Sequence, residues 1–264
     1  MFTVSSVMLF ITRQRSFSID TGYSGIECHL SELFNVTILH LEYRLSPEHP
    51  FPAAVDDTIV VYRTLLRHNL SPSQLIFMGD SAGGGLALLT IQALLTQKIP
   101  IPCGVIVISP WADLSTSRAS YTRNKDIDPM LRIDRARWAA LQLLGPTRSE
   151  SSLSDPQFSP LFGSFQGFPP MYVTVGTTEL IEDDSRELVR KARQAGVDVT
   201  FEEGVHLMHV YPIFFPYFSE ARHTLENIHQ WIQTIFTEKS NKPIETSSLL
   251  HYGTNKNPSI HVLR

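Results

Sequence analysis

Features that mark membrane, secreted or nucleic-acid-binding chains are scarce in these 264 residues. No apolar run approaches the roughly 20 residues that a spanning helix needs. The segment Val7-Met8-Leu9-Phe10-Ile11 is far too short and has no basic residue before it, so it makes a poor signal peptide. Arg13 and Arg15, among serines and with no acid before Asp20, give a trace of transit-peptide composition, but a sheet strand is the better reading. Only two cysteines occur, Cys28 and Cys103. They match no metal spacing and build no disulfide framework, so they read as buried thiols in a reducing compartment. Lys and Arg total 22 against 26 Asp and Glu, a formal charge of −4. That balance leaves no electrostatic footprint for nucleic acid or an anionic membrane. A cytoplasmic protein without a nucleic-acid partner or membrane span is expected.

What is present is an alternation of strand-like and helix-like segments. It predicts an α/β fold with a mostly parallel sheet covered by helices on both faces. Val36 to Leu41 reads as a strand, followed by a proline-stiffened connection, Pro47-Glu48-His49-Pro50-Phe51-Pro52. Ala53 to His68 then carries Val55, Ile59, Tyr62 and Leu66 at helical spacing. Strands are expected over Gln74 to Met78, Gly104 to Ser109, Met171 to Gly176 and Val197 to Glu202. Helices are expected from about Asp183 to Ala195 and from Ser219 to Phe236. One domain is expected over residues 1–237, with 238–264 as a polar, disordered tail. Residues 115–168 read as a lid-like insertion. Its helix, Ile133 to Leu144, is expected to present Trp138, Leu141 and Leu144 on one face.

Gly79-Asp80-Ser81-Ala82-Gly83 lies between an apolar strand and an apolar helix. A G-x-S-x-G in that setting is the nucleophile-elbow pattern. Ser81 is expected at the tip of a tight turn, with the Ala82 backbone N–H facing a developing oxyanion. The competing reading is a glycine-rich turn that merely starts a helix. A base and an orienting acid, both following the serine and each just after a late strand, would decide between them.

Glu179, nearest the end of the strand Met171 to Gly176, is the first choice for the acid. Asp183 is the second, because it suits the start of the following helix. Two histidines, His206 and His209, follow the next strand, and position alone does not separate them. Their spacing would also suit a metal pair, but no third ligand lies nearby.

Tyr43-Arg44-Leu45-Ser46-Pro47-Glu48-His49-Pro50-Phe51-Pro52-Ala53-Ala54 resembles a signature segment of the hormone-sensitive-lipase-like branch of α/β-hydrolase esterases. Gly79 to Gly84 is similar to that family's elbow, and Ser109-Pro110-Trp111-Ala112-Asp113-Leu114 to its next strand end. Asp155-Pro156 and Ser159-Pro160-Leu161 resemble its return into the core. The likeness runs over about residues 17–236. It implies an α/β-hydrolase fold and hydrolysis of short- to medium-chain carboxylic esters, without metal or cofactor. It also implies Glu179 as the acid and favours His209 over His206 as the base. Asp80, Tyr43, Arg44 and Glu48 read as scaffold.

One part of the family pattern is missing. Members carry a His-Gly-Gly segment after an early strand, whose N–H groups complete the oxyanion site. Here Thr12-Arg13-Gln14-Arg15-Ser16 stands at that place, with no glycine. The upstream strands also lack counterparts, so an N-terminally truncated or altered form is expected, with an exposed sheet edge open to self-association. Two readings follow: a serine esterase acting on a small ester, or a non-catalytic relative that binds a small molecule, as the plant gibberellin receptors do on a similar fold.

Overall fold

The computed structural model describes residues 6–11, 22–240 and 259–263. Strand β1 (Val7–Ile11) leads to helix α1 (Gly22–Phe34), strand β2 (Thr37–Glu42) and helix α2 (Ala53–Arg67). Strand β3 (Leu75–Asp80) runs directly into helix α3 (Ser81–Thr96), followed by β4 (Gly104–Ile108). The insertion contributes a short α4 (Ser120–Arg123) and α5 (Ile133–Leu144). The chain then adds β5 (Met171–Gly176), α6 (Glu182–Gln194), β6 (Val199–Gly204), α7 (Ser219–Ser240) and β7 (Ser259–Leu263).

The seven strands form one sheet in the order β6-β5-β4-β3-β1-β2-β7. All neighbours are parallel except β7, which pairs antiparallel with β2. Central parallel strands are covered on both faces, which is why β1 and β3 are buried along their whole length, with continuous apolar runs at Val7–Ile11 and Leu75–Met78 rather than alternation. Their side chains divide between two cores. Val7, Leu9, Ile11, Leu75 and Phe77 pack with α2 and α3 on one face. Met8, Phe10, Ile76 and Met78 pack with α1 and α7 on the other.

The strand order also locates the site. The chain steps outward from β1 to β2, then returns to β3 on the opposite side of β1. Crevices at such a reversal, beyond the carboxyl ends of the strands, are where open α/β sheets bind ligands. Ser81 immediately follows β3 at that reversal.

Four expectations change. The polar tail expected over 238–264 is interrupted: α7 runs to Ser240, and Ser259–Leu263 forms β7. That strand covers the β2 edge, in place of the exposed sheet edge expected from the sequence. Cys28 is exposed on the solvent side of α1, since Glu27, Leu30, Ser31 and Phe34 occupy its inner face; Cys103 is buried. On α5, Leu144 is buried with Ala140, whereas Trp138 and Leu141 are exposed. Steps of three residues turn about 300° each, so Leu144 lies about 120° around the helix from Trp138.

Candidate active site

No loop separates β3 from α3, so the chain reverses within one residue, and Ser81 takes φ +52°. This left-handed backbone costs a non-glycine residue about 1–2 kcal/mol. It is held by close packing at the adjoining glycines. A Cβ on Gly79 would stand 2.5 Å from the Gly83 carbonyl oxygen, and one on Gly85 would stand 2.4 Å from the Trp111 carbonyl oxygen. The Trp111 N–H donates to the Ser81 carbonyl at 2.9 Å, fixing the elbow against the loop after β4.

Two further strand ends bring partners to Ser81. Its Oγ lies 2.8 Å from His209 Nε2, and His209 Nδ1 lies 2.7 Å from Glu179 Oε2. An ionised carboxylate only accepts, so Nδ1 carries the proton and Nε2 is free to accept from the Ser81 hydroxyl. Glu179 is fully buried just after β5. Its other oxygen, Oε1, accepts from the Gly176 N–H at 2.5 Å and from the Ser109 hydroxyl at 2.6 Å. His209 follows β6 in a loop held by Thr178, whose hydroxyl donates to the Leu207 carbonyl at 2.8 Å. Burial opposes charging of this imidazole. The Glu179 carboxylate beside it, with Asp128 and Asp80 farther off, outweighs burial and holds its pKa above the ordinary 6.5.

His206 does not join this group. It is exposed, at φ +61°, with its N–H donating to the Thr177 hydroxyl. Asp183 also faces elsewhere. Its carboxylate accepts from the Ser120 N–H and from Arg123, in the first turn of α6. Burial would raise its pKa, but Arg123 and the Ser120 N–H prevail and hold it below the usual carboxylate range.

The insertion is bonded to the acid loop, a feature that the sequence reading missed. The Ser120 hydroxyl donates to the Leu180 carbonyl at 2.6 Å, and Asn124 Nδ2 donates to the Glu179 carbonyl at 2.7 Å. The Leu180 N–H donates to Asp128 at 2.7 Å. These partners lie 52 to 60 residues apart, so no local pattern reveals them. The Arg44 guanidinium donates to Asp57 at 2.8 Å, tying that segment to α2.

The Ala82 N–H lies in the first turn of α3, where helical geometry leaves N–H groups without an intrahelical acceptor. The helix dipole adds positive potential there. Beside Ala82 opens a cavity of about 80 Å³, lined mainly by apolar groups, among them Leu86 and Leu89 of α3, Leu143 of α5, Phe51, Trp111 and Phe158. β1 ends at Ile11, opposite Gly79. The glycine-free Thr12–Ser16 segment lies outside the described residues. Among the described residues, no group of three or more His, Cys, Asp or Glu side chains is arranged to hold a metal ion. No helix among them is long and apolar enough to cross a membrane.

Comparison with known proteins agrees with this architecture. A family model described as the alpha/beta hydrolase fold matches residues 19–213. An acetyl-hydrolase of Streptomyces hygroscopicus is 38% identical over 205 residues, covering 78% of this chain and 67% of that protein. An esterase of Acinetobacter venetianus is 33% identical over 206 residues, with the same coverage of each chain. The chain thus spans about two thirds of the length of these relatives. Among solved structures, an esterase of the bacterial hormone-sensitive lipase family superposes with a TM-score of 0.82 at 33% identity, covering 88% of this chain and 77% of its own. The chain belongs to the α/β-hydrolase fold family, within its hormone-sensitive-lipase-like branch.

Proposed function

We propose that this protein hydrolyses short-chain carboxylic esters through a Ser81–His209–Glu179 triad and an acyl-enzyme intermediate. The observation that carries this reading is the unbroken line from Ser81 Oγ through both nitrogens of His209 to Glu179. The Ser81 proton passes to His209 Nε2 as Oγ attacks the acyl carbon, and the oxyanion forms toward the Ala82 N–H. His209 then protonates the departing alkoxide, leaving the acyl group on Ser81. Water attacks that acyl group, its proton follows the same route, and the carboxylic acid leaves. Glu179 fixes the imidazole tautomer throughout.

The cavity beside Ala82 supports an acyl preference. Its volume of about 80 Å³ is roughly half the ~150 Å³ that admits a benzene ring. That leaves room for about three carbons beyond the carbonyl. Each buried methylene contributes about 0.8 kcal/mol. Across p-nitrophenyl esters, kcat/KM is therefore expected to rise about 10-fold from acetate to butyrate and to stop rising by octanoate. A continued rise through decanoate would contradict the cavity assignment.

A second reading, a non-catalytic ligand-binding protein, is favoured by the absence of glycine from Thr12 to Ser16. Under it, a butyrate ester or its acid binds the cleft without turnover that depends on Ser81. One oxyanion donor is worth about 10²–10³ in rate. Replacing Arg13-Gln14-Arg15 with His-Gly-Gly is accordingly expected to raise kcat about 100-fold, measured on p-nitrophenyl butyrate. An unchanged kcat would show that the segment does not limit turnover.

A further inference from the structure

Ser109 has no place in the reaction described above, yet its side chain touches two parts of the site at once. It directly follows β4, is fully buried, and holds a left-handed φ of +48°. Its N–H donates to the Thr174 carbonyl of β5 at 2.7 Å, which anchors the strained backbone to the sheet. From there the hydroxyl donates to Glu179 Oε1 at 2.6 Å and accepts from the Val210 N–H at 3.0 Å. Val210 immediately follows His209 and is itself left-handed, at φ +51°. Two residues on, the Trp111 N–H holds the Ser81 carbonyl. The loop after β4 therefore contacts the acid, the histidine loop and the elbow.

We propose that Ser109 is a positioning residue, whose hydroxyl locks the Glu179 carboxylate and the His209 loop into one rigid unit. The idea rests on the triad reading. A side chain kept in a sparsely populated backbone region, with its hydroxyl used both as donor and as acceptor, suits a positional task better than filling space. Without the hydroxyl, Glu179 Oε1 keeps only the Gly176 N–H, and the Val210 N–H loses its partner. The carboxylate and imidazole are then free to drift apart, and misplacement of about 1 Å can cost about 100-fold in rate.

The test compares Ser109→Ala, Ser109→Gly, Glu179→Gln and the double variant Ser109→Ala/Glu179→Gln on p-nitrophenyl butyrate. Ser109→Gly matters because glycine accepts the left-handed backbone, so it removes the hydroxyl while relieving strain. Both single Ser109 variants are expected to lose about 10- to 100-fold in kcat, with KM within about twofold of the parent. In the Glu179→Gln background, the Ser109 change is expected to cost no more than about threefold, because residues that act as a unit are not additive. Single variants within threefold of the parent would overturn the proposal, as would an equal loss in both backgrounds. Full activity in Glu179→Gln would overturn the triad reading itself. An impaired Glu179→Gln beside unimpaired Ser109 variants would overturn the Ser109 role alone.

Discussion

Ser81→Ala is expected to lower kcat for p-nitrophenyl butyrate by up to about 10⁶-fold, the scale seen when a serine nucleophile is removed from an intact triad. The change deletes the only atom that can form the acyl-enzyme, and His209 is left without an oxygen to deprotonate. Binding survives, since the cavity wall of Leu86, Leu89, Phe51 and Phe158 is untouched. The fold should survive as well. Alanine at φ +52° carries the same Cβ as serine, and the elbow is held by Gly79, Gly85 and the Trp111 N–H rather than by Oγ. A thermal midpoint within a few degrees of the parent, beside a lost rate, separates chemistry from stability. Equal rates for both proteins would remove Ser81 from the mechanism.

Glu179→Gln is expected to cost about 10⁴-fold in kcat, through the wrong histidine tautomer rather than through lost packing. Both donors at Oε1, the Gly176 N–H and the Ser109 hydroxyl, need an acceptor there, so the glutamine oxygen takes that place. Its NH₂ group then faces His209 Nδ1 and can only donate. Nδ1 must accept, the proton moves to Nε2, and Nε2 no longer accepts from Ser81. The pH profile carries a second signature. His209 must be neutral to act as base, and Glu179 is the main group raising its pKa against the opposing effect of burial. In the parent, the acidic limb of kcat/KM is expected to lie above pH 6.5. In Glu179→Gln, burial prevails and the limb moves to lower pH. A limb that stays in place in the variant would mean another group sets it.

Much of this was legible in the chain because its signals are local. The apolar runs at Leu75 to Met78 and Met171 to Gly176 declare buried parallel strands, and Gly79 to Gly83 declares the turn between strand and helix. The order of Ser81, Glu179 and His209 follows from strand ends. The histidine choice needed more: His206 and His209 share one loop, and the left-handed turn at His206 sends it outward while His209 faces Ser81. Contacts across long separations were hidden. Ser109 meets Glu179 across 70 residues, and no motif marks that pairing. Strand β7 was missed because five residues within a polar stretch show too little periodicity, and its partner β2 lies far upstream. The insertion reads as a lid because it lies between two core strands; that its Ser120, Arg123, Asn124 and Asp128 are also bonded to the acid loop and the start of α6 was not legible.

The most direct measurement is the mass of the purified protein after exposure to a fluorophosphonate near pH 8, followed by peptide mapping. An activated serine attacks phosphorus and expels fluoride, whereas ordinary surface serines do not. A single adduct on Ser81, absent in His209→Ala and slow to form in Glu179→Gln, is the predicted result. No adduct on Ser81 while Ser81-independent ester hydrolysis continues, or labelling scattered over other serines, would contradict it.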